Sequence, residues 1–419
     1  MHQPRMFNRW LVVLGAVLIQ LSLGAIYAWS VFTPALEKAG WSKLDTQIVF
    51  AVGLASFALT MVWAGRRLAV WGPQKLAALG GLVLGGGYLL TGLLGAENFW
   101  IVTLGIGLIG GAGIGLGYVV PIAVGMRWFP DRKGMITGLA VAGFGFGAMG
   151  WVKMAGTWGH LIERFDLSGT FIAYGIAFAV LVLIGSNWMH MPPGGWRPEG
   201  YVEPEDHDGD EGHDFSSAEM LRTSQFYLIF LTFAVSAGAG LMSIGLMKLY
   251  PMEALQVSGL GAAEASAVAG TAMAVFFSLA NGVGRIAWGS LSDLFGRRWS
   301  VIVMTASQGV FLLAFSSMAG QEYLLYLGAT LIGFNFGGNF ALFPTLTADL
   351  FGTGNVGQNY PFIFLSYGVG GIAGPILGGM LGDLGSFPLA FSICGAACLV
   401  GAACTFLVKP PRHVHNGSG

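Results

Sequence analysis

The segment LIGGAGIGLGYVVP at residues 108–121 recurs without a gap as LIGFNFGGNFALFP at residues 331–344. Leucine, isoleucine, glycine and proline positions coincide at a constant offset of 223, and at an offset of 224 Gly72 coincides with Gly296. Self-similarity over such a distance is typical of two homologous halves. The chain is therefore predicted to contain two similar units, each including one copy of this segment.

The composition indicates a membrane protein. Of 419 residues, 54% are hydrophobic and 10% are charged, whereas a soluble domain has roughly 25% charged residues. The mean hydropathy is +0.68. Because about 20 consecutive apolar residues cross a bilayer as a helix, we expect each such run to be a span. Twelve are predicted, at residues 10–33, 46–64, 76–96, 99–126, 134–158, 168–190, 224–250, 265–288, 299–319, 323–346, 358–382 and 386–408.

The predicted fold is an all-α membrane protein with twelve transmembrane helices in two pseudo-symmetric six-helix bundles. The first run is too long for a signal peptide and is interpreted as a retained helix. Such a repeat favours a substrate site near the midplane between the halves and alternating access. The expected domains are an N-terminal bundle (1–190), a cytoplasmic acidic linker (191–223), a C-terminal bundle (224–408) and a cytoplasmic tail (409–419).

The distribution of basic residues predicts the orientation. Fourteen Lys and Arg residues fall on the side of the N-terminus, and three fall on the opposite side. Cytoplasmic loops carry the excess of basic residues in membrane proteins. Both termini are therefore predicted in the cytoplasm, with the chain in the cell (inner) membrane. Because the linker has seven acids between Glu203 and Asp214, we interpret it as a solvated loop.

Arg285 is a candidate binding residue because of its depth. It follows a run without charge, residues 265–284, and precedes Asp293 by eight residues, which is about 12 Å of helix. This is near the midplane of a hydrocarbon layer about 30 Å thick. A cation there costs at least about 2.5–3.5 kcal/mol, and an arginine cannot give up its proton.

The sequence places no acid in the middle of a span, so Arg285 has no evident fixed counter-ion at this level. We infer that its anion is the substrate. The planar guanidinium fits a carboxylate through two parallel hydrogen bonds, which favours a carboxylate over a sugar or a cation. The alternative is a structural arginine bonded to the carbonyls of a broken helix.

The segment GSLSDLFGRR resembles the loop signature of the major facilitator superfamily, in which an Asp and basic residues latch helix ends on the cytoplasmic side. This resemblance implies a latch of Gly289, Asp293, Gly296, Arg297 and Arg298. The first-half copy, GRRLAVWGPQK, has no Asp. Four further segments resemble the oxalate/formate antiporter and monocarboxylate transporter branch: GAIYAWSVFTPAL, GIGLGYVVPIAVGMRWFPDRKG, NGVGRIAWGSLSD, and FALFPTLTADLFG with NYPF.

The resemblance also implies where substrate would bind. Oxalate/formate antiporters pair the arginine with a lysine in helix 11, where this chain has Tyr367. One cation suits one carboxylate, and phenylalanines replace Trp or Tyr of the antiporter pattern, which suits a short alkyl group. The candidate substrate-binding residues are Arg285, Tyr27, Tyr118, Asn281, Asn335, Phe336, Asn339, Phe340, Phe364 and Tyr367.

Proton coupling is expected to differ from that of animal monocarboxylate transporters. These proteins carry an Asp one turn before the arginine, whereas this chain has Asn281, which cannot titrate. The alternatives are the substrate's own carboxyl group or one of Glu264, His160, Lys248 and Lys153. The two lysines lie near predicted outer helix ends, where a lysine can reach the interface.

The sequence thus predicts a proton-coupled symporter of lactate-like monocarboxylates such as lactate or pyruvate, acting as a monomer in the lipid bilayer. The alternatives are an oxalate/formate-type exchanger and a carboxylate-binding membrane sensor without transport. We expect no enzyme activity, because the spans contain no HExxH, GxSxG or paired midplane carboxylates. No cofactor, metal or nucleic-acid partner is expected.

Overall fold

The computed structural model describes residues 8–156, 158–198, 200, 201 and 214–411, apart from the side chains of residues 30, 43, 44, 47 and 383. The regular structure of these residues is helical, with no β-strand among them. The chain divides into two compact units, Met1–Trp196 and Arg197–Gly419. The predicted acidic linker lies outside the described residues from residue 202 to residue 213.

The first unit contains six long helical segments. Its first segment is an α-helix that continues through a 3-10 stretch, Gly24–Val31, into a short helix. The fourth includes a π-helical stretch, Thr103–Gly110. In chain order the segments are α1 (Trp10–Lys38), α2 (Lys43–Trp71), α3 (Pro73–Leu94), α4 (Phe99–Trp128), α5 (Lys133–Ala155) and α6 (Leu161–Ser186).

The second unit repeats this organisation. One short helix, Leu249–Val257, follows its first long helix, and a π-helical stretch, Ala272–Phe277, interrupts its second. The long segments are α7 (Ser224–Leu246), α8 (Ala262–Phe295), α9 (Arg297–Met318), α10 (Glu322–Phe351), α11 (Val356–Asp383) and α12 (Phe387–Leu407).

The predicted spans agree with these helices. Within the described part of the chain, eleven helical segments are long and apolar enough to cross a membrane. The remaining predicted span, 323–346, lies in α10, a 30-residue helix that Asn335 and Asn339 make less apolar. The prediction of an all-helical membrane protein is confirmed. One boundary is corrected: predicted span 224–250 ends at Leu246, so Lys248 lies beyond α7 and before the next short helix.

The repeated segments occupy equivalent places in their units. Pro121 lies inside α4, and Pro344 lies inside α10. The turn after the second helix of each unit uses a glycine with a positive φ, +79° at Gly72 and +86° at Gly296. Because L-residues with a side chain rarely adopt this region, both positions require glycine. A new helix begins directly after each turn.

Candidate functional site

Arg285 lies within α8 and is 1% exposed. Its Nε–H donates to Oδ1 of Asn281, one turn earlier, at 3.0 Å. Its Cζ atom lies 4.2 Å from the centroid of the Phe340 ring on α10. Burial of a guanidinium is costly, but a hydrogen bond and a desolvated aromatic face each offset part of that cost. The predicted one-turn relation between Asn281 and Arg285 is thus a direct contact.

Glycines set the distance between α8 and α10 at this site. A Cβ atom at Gly284 would overlap the backbone of Phe334, and one at Gly337 would overlap the carbonyl of Asn281. The two backbones are therefore in direct contact along the turn of α8 that precedes Arg285. This close packing holds Arg285 against the Phe340 ring.

Aromatic side chains form a continuous wall beside Arg285. The ring of Phe340 contacts those of Phe336 and Tyr367 at centroid distances of 5.4 and 5.5 Å. Tyr367 in turn stacks on Phe364 at 5.1 Å. All four residues are buried. Tertiary packing thus unites candidates from α10 and α11 with the arginine of α8.

Phe233 of α7 belongs to the same wall and was not predicted. Its ring stacks on Phe343 at 4.3 Å and lies 6.4 Å from Phe340 and 6.1 Å from Phe364. A phenylalanine in an apolar span carries no signal that separates a pocket wall from general packing. The contact between α7 and α10 was needed to identify it.

The two asparagines of α10 have different surroundings. Asn335 accepts a hydrogen bond from Nε1 of Trp288 at 3.1 Å and donates to Oγ of Ser307 at 2.9 Å. Both ends of its amide therefore join α10 to α8 and α9, which is a structural role. Asn339 donates to the carbonyl of Phe336 within its own helix at 3.0 Å.

The two predicted tyrosines of the first unit share one aromatic neighbour. Phe144 of α5 lies 5.2 Å from the ring of Tyr27 and 5.5 Å from that of Tyr118. Gln20 of α1 is also here, because its Nε2 donates to the carbonyl of Tyr118 at 3.2 Å. It is fully buried. A polar residue in the uncharged first span is the sequence signal that could have identified Gln20.

The proton-coupling candidates lie at helix ends. Glu264 is in the first turn of the helix that begins at Ala262, Lys153 is in the last turn of α5, and Lys248 follows α7. All three are exposed. The His160 side chain is 44% exposed, and its Nδ1 lies 3.0 Å from Glu163.

The latch residues form an ion-pair network at one end of the second unit. Arg297 pairs with Asp293 and lies 3.4 Å from Asp349 at the end of α10. Arg298 donates to the carbonyls of Thr405 and Phe406 in α12. Gly289 is buried within α8, one turn before Asp293. In the first unit, Asp131 in the turn between α4 and α5 pairs with Arg9 at 3.1 Å.

The last residues before the second bundle dock on the α10–α11 turn. Oδ1 of Asp214 accepts from the N–H of Gly354 at 2.6 Å, and the N–H of Phe215 donates to the carbonyl of Phe351 at 2.9 Å. Asn359 of the NYPF segment donates to the carbonyl of Phe215 at 2.8 Å. Asn359 therefore fixes this segment to α11.

Two bundles of long apolar helices, an ion-paired turn between α8 and α9 and a buried arginine define a polytopic membrane protein of the transporter type. The Major Facilitator Superfamily model matches residues 12–276 and 265–419. The chain belongs to this superfamily. The crystal structure of the fucose:proton symporter of E. coli is similar in fold, with a TM-score of 0.66 and 15% identity over 94% of this chain and 98% of that one.

Three similar proteins span most of this chain. An uncharacterized MFS-type transporter of Escherichia coli (strain K12) is 30% identical, covering 87% of this chain and 86% of its own. The oxalate:formate antiporter of Oxalobacter formigenes is 25% identical, covering 96% and 92%. The apicoplast pyruvate carrier 1 of Toxoplasma gondii is 24% identical, covering 85% and 81%.

Proposed function

We propose that this protein is a secondary active transporter that moves small monocarboxylates, such as lactate or pyruvate, across the cytoplasmic membrane by alternating access. The observation that carries the proposal is Arg285, buried in α8 with its guanidinium against Phe340. A permanently charged group in this position is an anchor for an anion.

The chemistry of the guanidinium favours a carboxylate. The group has five N–H donors in a planar fork, and the contact with Asn281 uses the one on Nε. A carboxylate accepts two parallel hydrogen bonds from such a fork. Two of the similar proteins are, by their names, an oxalate:formate antiporter and a pyruvate carrier, and both names denote carboxylate transport.

The wall beside Arg285 favours one carboxylate over two. Tyr367 stands where the antiporter pattern has a second cation, and its ring packs on Phe340 and Phe364. Phenylalanine walls offer no hydrogen-bond donor to a second carboxylate. They suit the short alkyl group of a lactate-like substrate.

We further propose that one proton is transported with each monocarboxylate, so that transport of a carboxylate bound at Arg285 is electroneutral. Glu264, Lys153 and Lys248 are exposed at helix ends, and Asn281, the residue beside Arg285, cannot titrate. The excess of basic residues supports cytoplasmic termini in an inner membrane.

Proteoliposomes loaded at neutral pH provide the test. We expect them to accumulate labelled L-lactate when the outside is acidified, and we expect Arg285→Ala to abolish the accumulation. Arg67→Ala is a matched control. The Cζ atom of Arg67 lies 5.5 Å from the centroid of the Trp63 ring, so it also faces an aromatic ring, but Arg67 is exposed. Lactate accumulation by Arg285→Ala would contradict the proposal.

An oxalate/formate-type exchanger is the second candidate, favoured by similarity to the oxalate:formate antiporter over 96% of the chain. An exchanger needs a counter-substrate on the opposite side. Uptake that ignores the pH gradient but requires internal oxalate or formate would support the exchanger and contradict symport.

A further inference from the structure

Four buried polar side chains of the second unit have atoms without a hydrogen-bond partner among the described residues. These atoms are Oγ of Ser236, Oγ1 of Thr305, both amide atoms of Gln308, and Oδ1 of Asn339. Each residue is at most 1% exposed. Because buried polar groups in folded proteins are nearly always paired, these five atoms require a partner of another kind.

Asn339 points into the space between α7 and α9. On one side of it, Asn335 bonds to Ser307 of α9. On the other side, Phe336 packs against Gly240 of α7. At about 100° per residue, Asn339 lies about 40° from Asn335 and about 60° from Phe336 around the axis of α10.

The other three residues face the same space. On α9, Gln308 lies between Ser307, which faces α10, and Gly309, which meets Gly395 of α12. Thr305 lies one turn before Gly309 on the same buried face. We call the space bounded by α7, α9, α10 and α12 the polar interior.

Ser236 completes the polar interior from α7. It lies one turn after Thr232, which bonds to Gly401 of α12, and one turn before Gly240, which faces α10. At about 100° per residue, Ser236 is therefore midway between these two faces.

The polar atoms share one depth. Ser236 is 12 residues from the start of α7, Asn339 is 12 residues from the end of α10, and Gln308 is 11 residues from the start of α9. The start of α9 lies beside the end of α10, because Arg297 pairs with Asp349. The starts of α7 and α9 both meet the end of α12, because Gln225 donates to the carbonyl of Lys409 and Arg298 donates to that of Phe406. At a rise of about 1.5 Å per residue, all three lie within about 2 Å of the same level.

We propose that the polar interior binds ordered water. Exchanging the two ends of the Asn339 amide would direct its oxygen at the Phe336 carbonyl, and neither orientation of Gln308 gives it a partner among the described residues. Water both donates and accepts, so it satisfies the Gln308 amide and the hydroxyls, whereas a cation would oppose the Gln308 N–H groups. At about three hydrogen bonds per water, about two molecules suffice.

This inference does not rest on the identity of the substrate. Water bound to Asn339 in the polar interior is separated from Arg285 by the ring of Phe336, which belongs to the aromatic wall. Helices joined through water can change their separation by exchanging hydrogen bonds. The water therefore allows α7 and α10 to change their separation while their buried polar groups stay hydrogen-bonded.

X-ray radiolytic labelling of the full chain in nanodiscs tests the proposal, because radicals formed from a bound water oxidise adjacent side chains. Cys398 contacts the carbonyl of Val235, next to Ser236, and Met304 precedes Thr305; both are fully buried. We expect both sulfurs to be oxidised. Met61, fully buried in the first unit, is the control and should stay unmodified.

Gln308→Leu and the isosteric Thr305→Val should each reduce the labelling of Cys398 and Met304 while leaving Met61 unchanged. The two variants guard against a folding defect in either one, and size-exclusion chromatography checks folding. Labelling of both sulfurs no faster than that of Met61 would overturn the proposal. A sodium-dependent melting temperature that Gln308→Leu abolishes would also overturn it, by identifying a cation in place of water.

Discussion

The Cζ atom of Arg285 lies 4.2 Å from the centroid of the Phe340 ring. This contact joins α8 to α10 and places the buried charge against an aromatic face. A desolvated cation–π contact contributes about 2 kcal/mol. The phenylalanine is therefore expected to support the charge as well as to form part of the wall.

Phe340→Leu should lower the stability of the protein by about 2 kcal/mol through loss of the cation–π contact. It should also weaken lactate binding, because the ring no longer holds the guanidinium in place and no longer contributes to the wall. Binding is measured by the lactate dependence of proteoliposome uptake. Phe343→Leu is the control: Phe343 is fully buried and stacks on Phe233 at 4.3 Å. Equal losses in the two variants would mean that Phe340 contributes packing alone.

Asn281→Asp should make lactate affinity depend more steeply on pH than it does in the wild type. An ionised carboxylate at this position would pair with Arg285, which now receives the Asn281 oxygen at 3.0 Å, and would compete with the substrate anion. Acidification protonates the carboxyl, so affinity should rise as pH falls. Asn281→Ala lacks the titrating group, and a pH dependence of affinity equal to that of Asn281→Asp would refute the explanation.

Tyr367→Lys should improve oxalate binding relative to lactate. The substitution adds a second cation beside the Phe340 ring, which Tyr367 contacts at 5.5 Å, and two cations suit a dicarboxylate. Competition of oxalate with labelled lactate measures the ratio. Tyr367→Phe keeps the ring and should leave the ratio unchanged; an unaltered ratio in the lysine variant would show that α11 does not set substrate charge.

Gly337→Ala should reduce lactate affinity without preventing folding. Its Cβ would overlap the Asn281 carbonyl, so α8 must move away from α10 and carry Arg285 with it. Overpacking of this kind costs about 1–3 kcal/mol. Gly270→Ala meets nothing within 4 Å and should retain wild-type uptake. Unchanged lactate affinity in Gly337→Ala would show that the distance between α8 and α10 does not affect substrate binding.

Gly354→Ala should lower the melting temperature by displacing the docked segment. Its Cβ would overlap the carboxylate of Asp214, which now accepts the Gly354 N–H at 2.6 Å. Gly245→Ala in α7 meets nothing within 4 Å and should be neutral or stabilising, since alanine is favoured in helices by about 1 kcal/mol. Asp214→Ala combined with Gly354→Ala should remove the overlap. A lower melting temperature in the double variant than in Gly354→Ala would show that overlap with Asp214 is not the cause of the destabilisation.

The sequence determined the membrane class and the long helical segments, and it identified Arg285 as a charge within an apolar helix. These follow from the cost of transferring each residue into a bilayer, which depends on the residue and its immediate neighbours. A charge after a run of uncharged residues, 265–284, is visible without any tertiary contact. The repeat at residues 108–121 and 331–344 is likewise a property of the sequence alone, and it predicted the two units.

The tertiary structure decided which side chains meet. Phe233 packs beside Phe340 in the aromatic wall. Asn335 is hydrogen-bonded to Trp288 and Ser307. Asp214 accepts a hydrogen bond from Gly354. These contacts depend on the rotation and spacing of neighbouring helices, which close glycine packing sets across residues far apart in the chain. Hydropathy reports depth in the membrane, but it carries no information about which face of one helix meets which face of another.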